Sequence, residues 1–292
     1  MHFPAQLCHR SSALLLAELF SCPFAVKSGG HAAFAGSSSI QNGLNIDLSP
    51  LNISVGAGNR WVDVYNYLLQ YNISVVGGRV SDIGVGGLTS GGGISFFSQI
   101  YGWACDNVVN YEVVLASGLV VNVNPNSYKD HYWALRGGGN NFGIVTRFAL
   151  STHSQGSLWS GSLVYTRQNR STDQLIEAFY NYGINAVTDP KSALIFNWGY
   201  AEGTFLTLRE VTDMFKESNP DGLRESFWTA TFSLTQDMIF FMVSTFEEAA
   251  IRAANATSYT PALVLLIIST DVLTQMQKNS GNALGLASSD GN

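Results

Sequence analysis

The chain has 292 residues, of which 46% are hydrophobic and only 12% are charged, so it is too apolar for an intrinsically disordered protein. Its longest uninterrupted apolar run, Ala262 to Ile268, has seven residues, whereas a membrane-spanning helix needs about 18 or more. The net charge of −6 lacks the basic footprint that nucleic-acid binding requires. The sequence therefore predicts neither a nucleic acid nor a membrane as a partner.

Charge and glycine are distributed unevenly along the chain. The first 150 residues carry seven basic and seven acidic side chains and 20 of the 29 glycines, whereas the remainder carries eight basic and fourteen acidic side chains. This asymmetry predicts two modules, which we place at residues 1–155 and 156–292. The three cysteines, Cys8, Cys22 and Cys105, show no metal-ligand spacing, so no metal site is predicted.

The elements predicted for the first module begin with a short amphipathic helix within residues 1–20, because Glu18 interrupts the run that a signal peptide would need. Strands are predicted at 23–27, 44–48, 53–55 and 73–76. A helix is predicted over 60–71, where Trp61, Val64 and Leu68 recur on one helical face. From 77 to 102 there are nine glycines and no sustained helical or strand period. A segment of this kind inside a patterned domain is typically functional.

Further along, strands at 111–116 and 119–123 are predicted to form a hairpin around Ser117 and Gly118. A helix at 127–135 and a strand at 143–150 complete the first module. The second module is predicted to contain strands at 163–166, 193–198, 204–211 and 262–270, and helices at 172–187 and 235–256. This mixture predicts an α+β fold rather than a regular βαβ ladder.

The strongest motif is the glycine-rich stretch from Gly84 to Gly93, Gly-Val-Gly-Gly-Leu-Thr-Ser-Gly-Gly-Gly. Glycine lets the backbone approach a ligand closely, and consecutive free N–H groups form a concavity that suits a pyrophosphate. The stretch matches neither the dinucleotide fingerprint of Rossmann folds nor a P-loop. Composition alone leaves two interpretations open, a phosphate or nucleotide site and a flexible surface loop.

Three further motifs are ambiguous when taken singly. In Lys27-Ser28-Gly29-Gly30-His31, the imidazole follows two glycines at the end of a strand, where it is a capable nucleophile near neutral pH or an ordinary polar loop residue. Arg136 to Thr146 is a glycine-rich turn that leads into a strand. Tyr101 to Asn107 is a polar and aromatic turn.

Together, these four segments resemble the FAD-linked oxidases with an FAD-binding domain of the PCMH type, in the vanillyl-alcohol oxidase superfamily. The similarity is greatest to the berberine-bridge-enzyme-like oxidoreductases of fungal type. It covers roughly residues 13–165 and is weaker beyond them. The matching stretches are Pro23 to His31, Val75 to Arg79, Gly84 to Phe97, Tyr101 to Asn107 and Ala134 to Phe148.

The resemblance implies a two-lobed PCMH-type FAD-binding domain at 1–155 with an incomplete N-terminal lobe. At 156–292 it implies part of a substrate domain, an antiparallel sheet with helices, whose C-terminal return to the FAD domain is missing.

The resemblance also implies roles for individual residues. Ser28 to His31 would wrap the FAD pyrophosphate, with His31 bonded covalently to the flavin. The stretch from Val85 to Gly93 would line the pyrophosphate and ribityl chain, and Tyr101 to Asn107 would lie near the isoalloxazine or ribityl side. Gly143 to Val145 would meet the flavin or adenine end through the strand backbone. The residues placed at the cofactor are Lys27, Ser28, Gly29, Gly30, His31, Val85, Gly86, Gly87, Thr89, Gly91, Gly92, Gly93, Tyr101, Gly102, Cys105, Asp106, Asn107, Gly143, Ile144 and Val145.

The departures from the family pattern limit these expectations. Where bicovalent relatives carry a cysteine before the Gly-Val-Gly-Gly segment, this chain has Val80, so attachment through His31 alone is expected and Cys105 is expected to be structural. No residue can be assigned as the base that accepts the substrate proton. Tyr200, Glu202 and Glu210 lie in the second module, but solvated or core strand positions are favoured for them.

The function that the resemblance implies is an FAD-dependent oxidoreductase that oxidises a C–H bond next to oxygen or nitrogen of a small organic substrate, with O2 as electron acceptor. Two alternatives stay open. The chain is a truncated, catalytically inert flavin-fold fragment, or it is a non-redox nucleotide-binding protein that keeps the pyrophosphate loops.

Overall fold

The computed structural model describes residues 14–27, 44–47, 55–69, 71, 73–155, 158–159, 163, 171–199, 229–256 and 262–286. The chain divides into two compact units. The first comprises Met1–Ser157 together with Asp271–Ala287, and the second comprises Leu158–Thr270 together with Ser288–Asn292. This division differs from the predicted one, because residues 271–287 pack with the first unit and not with the second.

The first unit begins with a helix at residues 14–19 (α1), and strands β1 (Phe24–Lys27) and β2 (Leu44–Asp47) pair in parallel. The remaining elements of residues 55–155 are α2 (Trp61–Leu69), β3 (Ile73–Val75), α3 (Val85–Ser90), α4 (Ser98–Tyr101), a 3₁₀ turn (Ala104–Asn107), β4 (Val108–Val114), β5 (Val120–Val123), α5 (Lys129–Leu135), β6 (Ile144–Leu150) and β7 (Thr152–Ser154). The unit also includes most of helix α8 (Thr270–Met276) and a 3₁₀ turn (Lys278–Ser280), both within or next to Asp271–Ala287.

The centre of this unit is an antiparallel sheet with the strand order β5-β4-β6. The predicted hairpin at Ser117 and Gly118 is confirmed, since β4 and β5 pair across that turn and Gly118 has a φ of +78°. The strands are rich in β-branched residues, and successive side chains of a strand point to opposite faces of the sheet. One face of the sheet therefore packs on the core. The described core residues that form this cluster include Trp61, Val85, Tyr111, Val113, Val123, Tyr132, Leu135 and Phe148.

The glycine-rich segment 77–102 is more regular than predicted. It contains the six-residue helix α3 and the single turn α4, although glycine is a poor helix former. The first two N–H groups of α3 bond outside the helix, from Val85 to the Asn59 carbonyl (2.9 Å) and from Gly86 to the Ala57 carbonyl (3.1 Å). These bonds hold the start of the helix in place, which offsets the low propensity of its sequence.

The second unit contains a two-stranded antiparallel sheet of β8 (Ile195–Gly199) and β9 (Ala262–Leu266). Helices α6 (Thr172–Asn185) and α7 (Gln236–Ala256) pack with it around the core residues Ile176, Phe179, Ile239, Val243 and Leu265. This antiparallel sheet with helices agrees with the predicted α+β class.

One strand prediction in the second module is confirmed in its first half only, and two cannot be assessed. The strand predicted over 262–270 ends at Leu266, and helix α8 (Thr270–Met276) begins within the predicted range. The strands predicted at 163–166 and 204–211 lie almost wholly outside the described residues. No helix in the described part of the chain is long and apolar enough to cross a membrane.

Two neighbouring tyrosines in the core of the first unit provide a test of how that core is packed. The Tyr132 hydroxyl donates to the Val108 carbonyl at 2.6 Å, whereas the buried Tyr111 hydroxyl has no hydrogen-bond partner in the described chain. We expect Tyr132→Phe to destabilise the protein by about 1–2 kcal/mol, because it leaves the carbonyl unsatisfied. We expect Tyr111→Phe to leave stability unchanged or raise it. Urea unfolding followed by tryptophan fluorescence measures both, and an equal loss in the two variants would contradict this packing.

Candidate cofactor site

The glycine-rich stretch 84–93 lies between the two other described motifs and is hydrogen-bonded to both. On one side, the Ser90 carbonyl accepts from the N–H groups of Gly137 and Gly139, at 3.1 and 3.0 Å. These bonds hold two glycine-rich segments that are far apart in sequence against each other. Residues 84–93 and the turn at 136–139 are therefore neighbours in the fold.

On the other side, the stretch is joined to the turn that follows α4. The Gly93 carbonyl accepts from the N–H of Ala104 at 2.8 Å, and the Gly92 carbonyl accepts from the N–H of Cys105 at 2.9 Å. Both glycines have a positive φ, +108° at Gly92 and +81° at Gly93. A Cβ at Gly93 would lie 2.4 Å from Leu88 Cδ2, so packing within the protein already requires glycine here.

The predicted contact residues of this stretch differ in how far they are accessible. Gly87 is exposed, and a Cβ added there would meet no atom of the described residues within 4 Å. The Val85 side chain is fully buried in the core. The Thr89 hydroxyl is buried and has no hydrogen-bond partner in the described chain. Bare backbone together with one unsatisfied hydroxyl is a donor set that fits the oxygens of a diphosphate, so the residues present fit the predicted dinucleotide.

The turn Tyr101 to Asn107 is held together by the Asn107 side chain. Its Nδ2 atom donates to the carbonyls of Tyr101 and Trp103, both at 2.9 Å. Cys105 is completely buried, and burial raises the pKa of its thiol well above the usual range. The thiol therefore stays protonated near neutral pH, which suits the structural role expected of Cys105 and not an attachment site.

The predicted strand residues Ile144 and Val145 begin β6, beside β4, and Gly143 immediately precedes it. Ile144 and Val145 are buried in the core, so only their backbone is available to a ligand. A Cβ at Gly143 would lie 2.9 Å from the Val114 carbonyl oxygen. Lys27 ends β1, whereas Ser28, Gly29, Gly30 and His31 lie outside the described residues.

A buried ion pair that no sequence pattern predicted joins two of the predicted motifs. Arg136 Nη2 lies 3.0 Å from Asp106 Oδ1, and the two side chains are 0% and 3% exposed. The second carboxylate oxygen of Asp106 accepts from the backbone N–H of Trp103 at 3.0 Å. The guanidinium of Arg136 also lies over the Tyr132 ring, 5.2 Å from its centroid. Asp106, predicted beside the flavin, thus has its side chain committed to Arg136.

The same ion pair binds the C-terminal segment of the first unit. Arg136 donates to the carbonyls of Lys278 (3.1 Å), Asn279 (3.2 Å) and Gly281 (2.6 Å). Asn282 Nδ2 donates to Asp106 Oδ1 at 2.8 Å. We name residues 278–284 the C-terminal strap. Its bonds to this ion pair explain why residues 271–287 belong to the first unit.

The strap also contacts the predicted cofactor glycines directly. A Cβ at Gly92 would lie 3.1 Å from Leu284 Cδ1, and one at Gly137 would lie 2.6 Å from Leu284 Cγ. The Leu284 side chain therefore occupies the space that bare backbone leaves at these two positions. Neither Arg136 nor Leu284 was singled out from the sequence as a site residue, because their role depends on contacts across more than 140 residues.

His153 also went unrecognised, since a lone histidine in a strand carries no motif. It lies in β7 and stacks on Tyr101.

Within the part of the chain that the structure describes, no group of three His, Cys, Asp or Glu side chains is placed to hold a metal ion.

Replacing either of two arginines tests the importance of the buried ion pair. Arg136→Met would leave the Asp106 carboxylate buried without its cation, so we expect a loss of about 3–5 kcal/mol. Arg147 is the matched control, because it is half-exposed and lies 3.7 Å from Glu112. Arg147→Met should cost about 1 kcal/mol or less. Urea unfolding compares the two, and similar midpoints would contradict the assignment.

Comparison with known proteins is consistent with this site. A family model described as an FAD binding domain matches residues 3–124. The FAD-dependent monooxygenase tpcD of Cochliobolus heterostrophus is 35% identical over 347 residues, which cover 98% of this chain and 67% of that protein. The FAD-dependent monooxygenase FUP4 of Fusarium proliferatum is 32% identical, over 92% of this chain and 63% of its own length.

Solved structures show the same fold. A variant of the BBE-like 1 protein of Physcomitrella patens matches with a TM-score of 0.59 and 25% identity, over 67% of this chain and 45% of that one. A chitooligosaccharide oxidase matches with a TM-score of 0.56 at 19% identity, over 69% of this chain and 45% of its own. The chain thus spans about two thirds of the two curated relatives and less than half of these structures. The chain belongs to the family of FAD-linked oxidoreductases with an FAD-binding domain of the PCMH type.

Proposed function

We propose that this protein oxidises a C–H bond next to oxygen or nitrogen in a small organic substrate, with O2 as the electron acceptor. The observation that carries the proposal is the hydrogen-bonded junction of glycine-rich stretches around Ser90, with bare, exposed backbone at Gly87. The two fungal relatives named above are called FAD-dependent monooxygenases, which supports redox chemistry at such a junction.

In this proposal, the exposed backbone at Gly87 approaches the diphosphate, and the Thr89 hydroxyl donates to it. The backbone of Gly143 to Val145 borders the flavin or adenine end. When bound, FAD supplies the acceptor for the two electrons of substrate oxidation. The chain's own contribution is to position the cofactor and to exclude water, which the packed backbone around Ser90 favours.

We further propose that the flavin is attached through His31 alone. The position where the family resemblance places a second attachment holds Val80, which cannot form such a bond. Cys105 is not a substitute, because its thiol is buried and its pKa is raised by that burial. His31 follows β1, whose last residue is Lys27, by four positions.

The attachment is tested by flavin fluorescence on a denaturing gel. The wild-type chain should show a fluorescent band, and His31→Ala should show none, because only a covalent bond survives denaturation. His131→Ala is the control, since His131 lies in α5 and contacts the Phe142 carbonyl. Fluorescence that persists in His31→Ala would exclude this attachment.

The contact with bare backbone is tested by Gly87→Ala. In the part of the chain that the structure describes, alanine at this helical position meets no atom within 4 Å, so it should leave stability unchanged or raise it by up to about 1 kcal/mol. A methyl group where a phosphate approaches the backbone should weaken FAD binding by about tenfold, the effect of losing one hydrogen bond.

This experiment is performed in the His31→Ala background, so that a covalent bond does not retain the cofactor. The flavin-to-protein absorbance ratio after dialysis reports binding, and thermal unfolding of the same sample reports stability. Undiminished flavin in Gly87→Ala would show that no phosphate approaches this residue.

The two alternatives give different results with the wild-type protein. A colourless, soluble preparation would favour a non-redox nucleotide-binding protein. Insoluble protein would favour an inert fragment of the fold. A yellow preparation whose colour survives acid precipitation supports the covalent flavoprotein.

A further inference from the structure

Tyr101 and His153 form a close ring stack beside the glycine-rich junction. Their ring centroids are 3.6 Å apart, and the planes differ by 13°. Tyr101 is the last residue of α4, whereas His153 is the central residue of β7 and pairs with Ser74 of β3. Two elements that are separate in sequence therefore fix the two rings against each other.

Asn107 determines which nitrogen of His153 carries the proton. Its Nδ2 atom is committed to the carbonyls of Tyr101 and Trp103, so the atom that faces His153 Nε2, at 3.4 Å, is the acceptor Oδ1. This network assigns the hydrogen to Nε2, which donates to Oδ1, and leaves the lone pair on Nδ1. Burial lowers the pKa of His153, which favours this neutral form.

We propose that His153 is a positioning residue of the cofactor site, which holds the Tyr101 ring in one orientation toward bound FAD. The inference rests on the proposed function, because the family resemblance places Tyr101 at the isoalloxazine or ribityl side. The ring of Tyr101 is fixed by the stack on His153, and its carbonyl is fixed by Asn107. His153 and Asn107 are themselves hydrogen-bonded, so the three residues form one connected unit.

The stack is tested first without reference to the cofactor. In the NMR spectrum of the full chain, the ring protons of His153 should be shifted upfield by the phenol face, and Tyr101→Leu should abolish that shift. The ¹⁵N signals should show the Nε2–H tautomer, and Asn107→Ala should disturb it. An unshifted His153 ring would overturn the inference whether or not FAD binds.

The positioning role is tested by two substitutions in the His31→Ala background. His153→Phe keeps a flat ring for stacking, whereas His153→Ala removes it. Because an aromatic pair contributes a few-fold to about tenfold in an equilibrium constant, His153→Ala should weaken FAD binding by about that factor. His153→Phe should bind within about twofold of the parent, since the stack is retained.

The outcomes separate this inference from the proposed function. If the parent chain binds FAD and both variants bind it equally well, His153 does not position Tyr101 and the inference fails. If His153→Phe binds as weakly as His153→Ala, stacking is not the means of positioning, and the inference also fails. If the parent chain carrying His31→Ala binds no FAD, the proposed function fails, and this inference falls with it.

Discussion

The buried ion pair between Arg136 and Asp106 is the interaction on which the first unit depends. Removing two charges from water costs several kcal/mol each, so such a pair persists only where further hydrogen bonds complete it. Here the guanidinium meets three backbone carbonyls of the strap, and the carboxylate meets Asn282 and a backbone N–H. The guanidinium Nε is left without a partner in the described chain. The contribution of the pair is therefore to specify one arrangement of these segments.

That arrangement has a consequence for the cofactor site. The strap includes two consecutive non-glycine residues with positive φ, Asn279 and Ser280, at +53° and +70°. Such conformations cost about 1–3 kcal/mol each and persist where neighbouring contacts hold them. The carbonyls that they orient bind Arg136, and the strap then places Leu284 against the bare backbone of Gly92 and Gly137. Order in the cofactor loops is thus linked to a segment far along the chain.

Sequence patterns predicted those parts of the structure whose causes are local. The helical face of Trp61, Val64 and Leu68 and the hairpin at Gly118 are encoded within about ten residues, and both were found. Helix α3 was missed because its glycines disfavour a helix, and the bonds that fix its start come from Ala57 and Asn59. The return of residues 271–287 to the first unit was missed because it depends on Arg136. Long-range pairs of this kind leave no periodic signal.

For the site itself, composition identified the segments but not the purpose of each glycine. Gly93 is required by packing, since a side chain would strike Leu88 and its φ is positive. Gly87 has neither constraint, so no described residue explains glycine there in preference to alanine. A helix without that glycine would be more stable by about 0.5–1 kcal/mol. A residue that lowers stability without serving the fold indicates that the space beside it is used by something other than the protein, and our proposal assigns that space to a diphosphate.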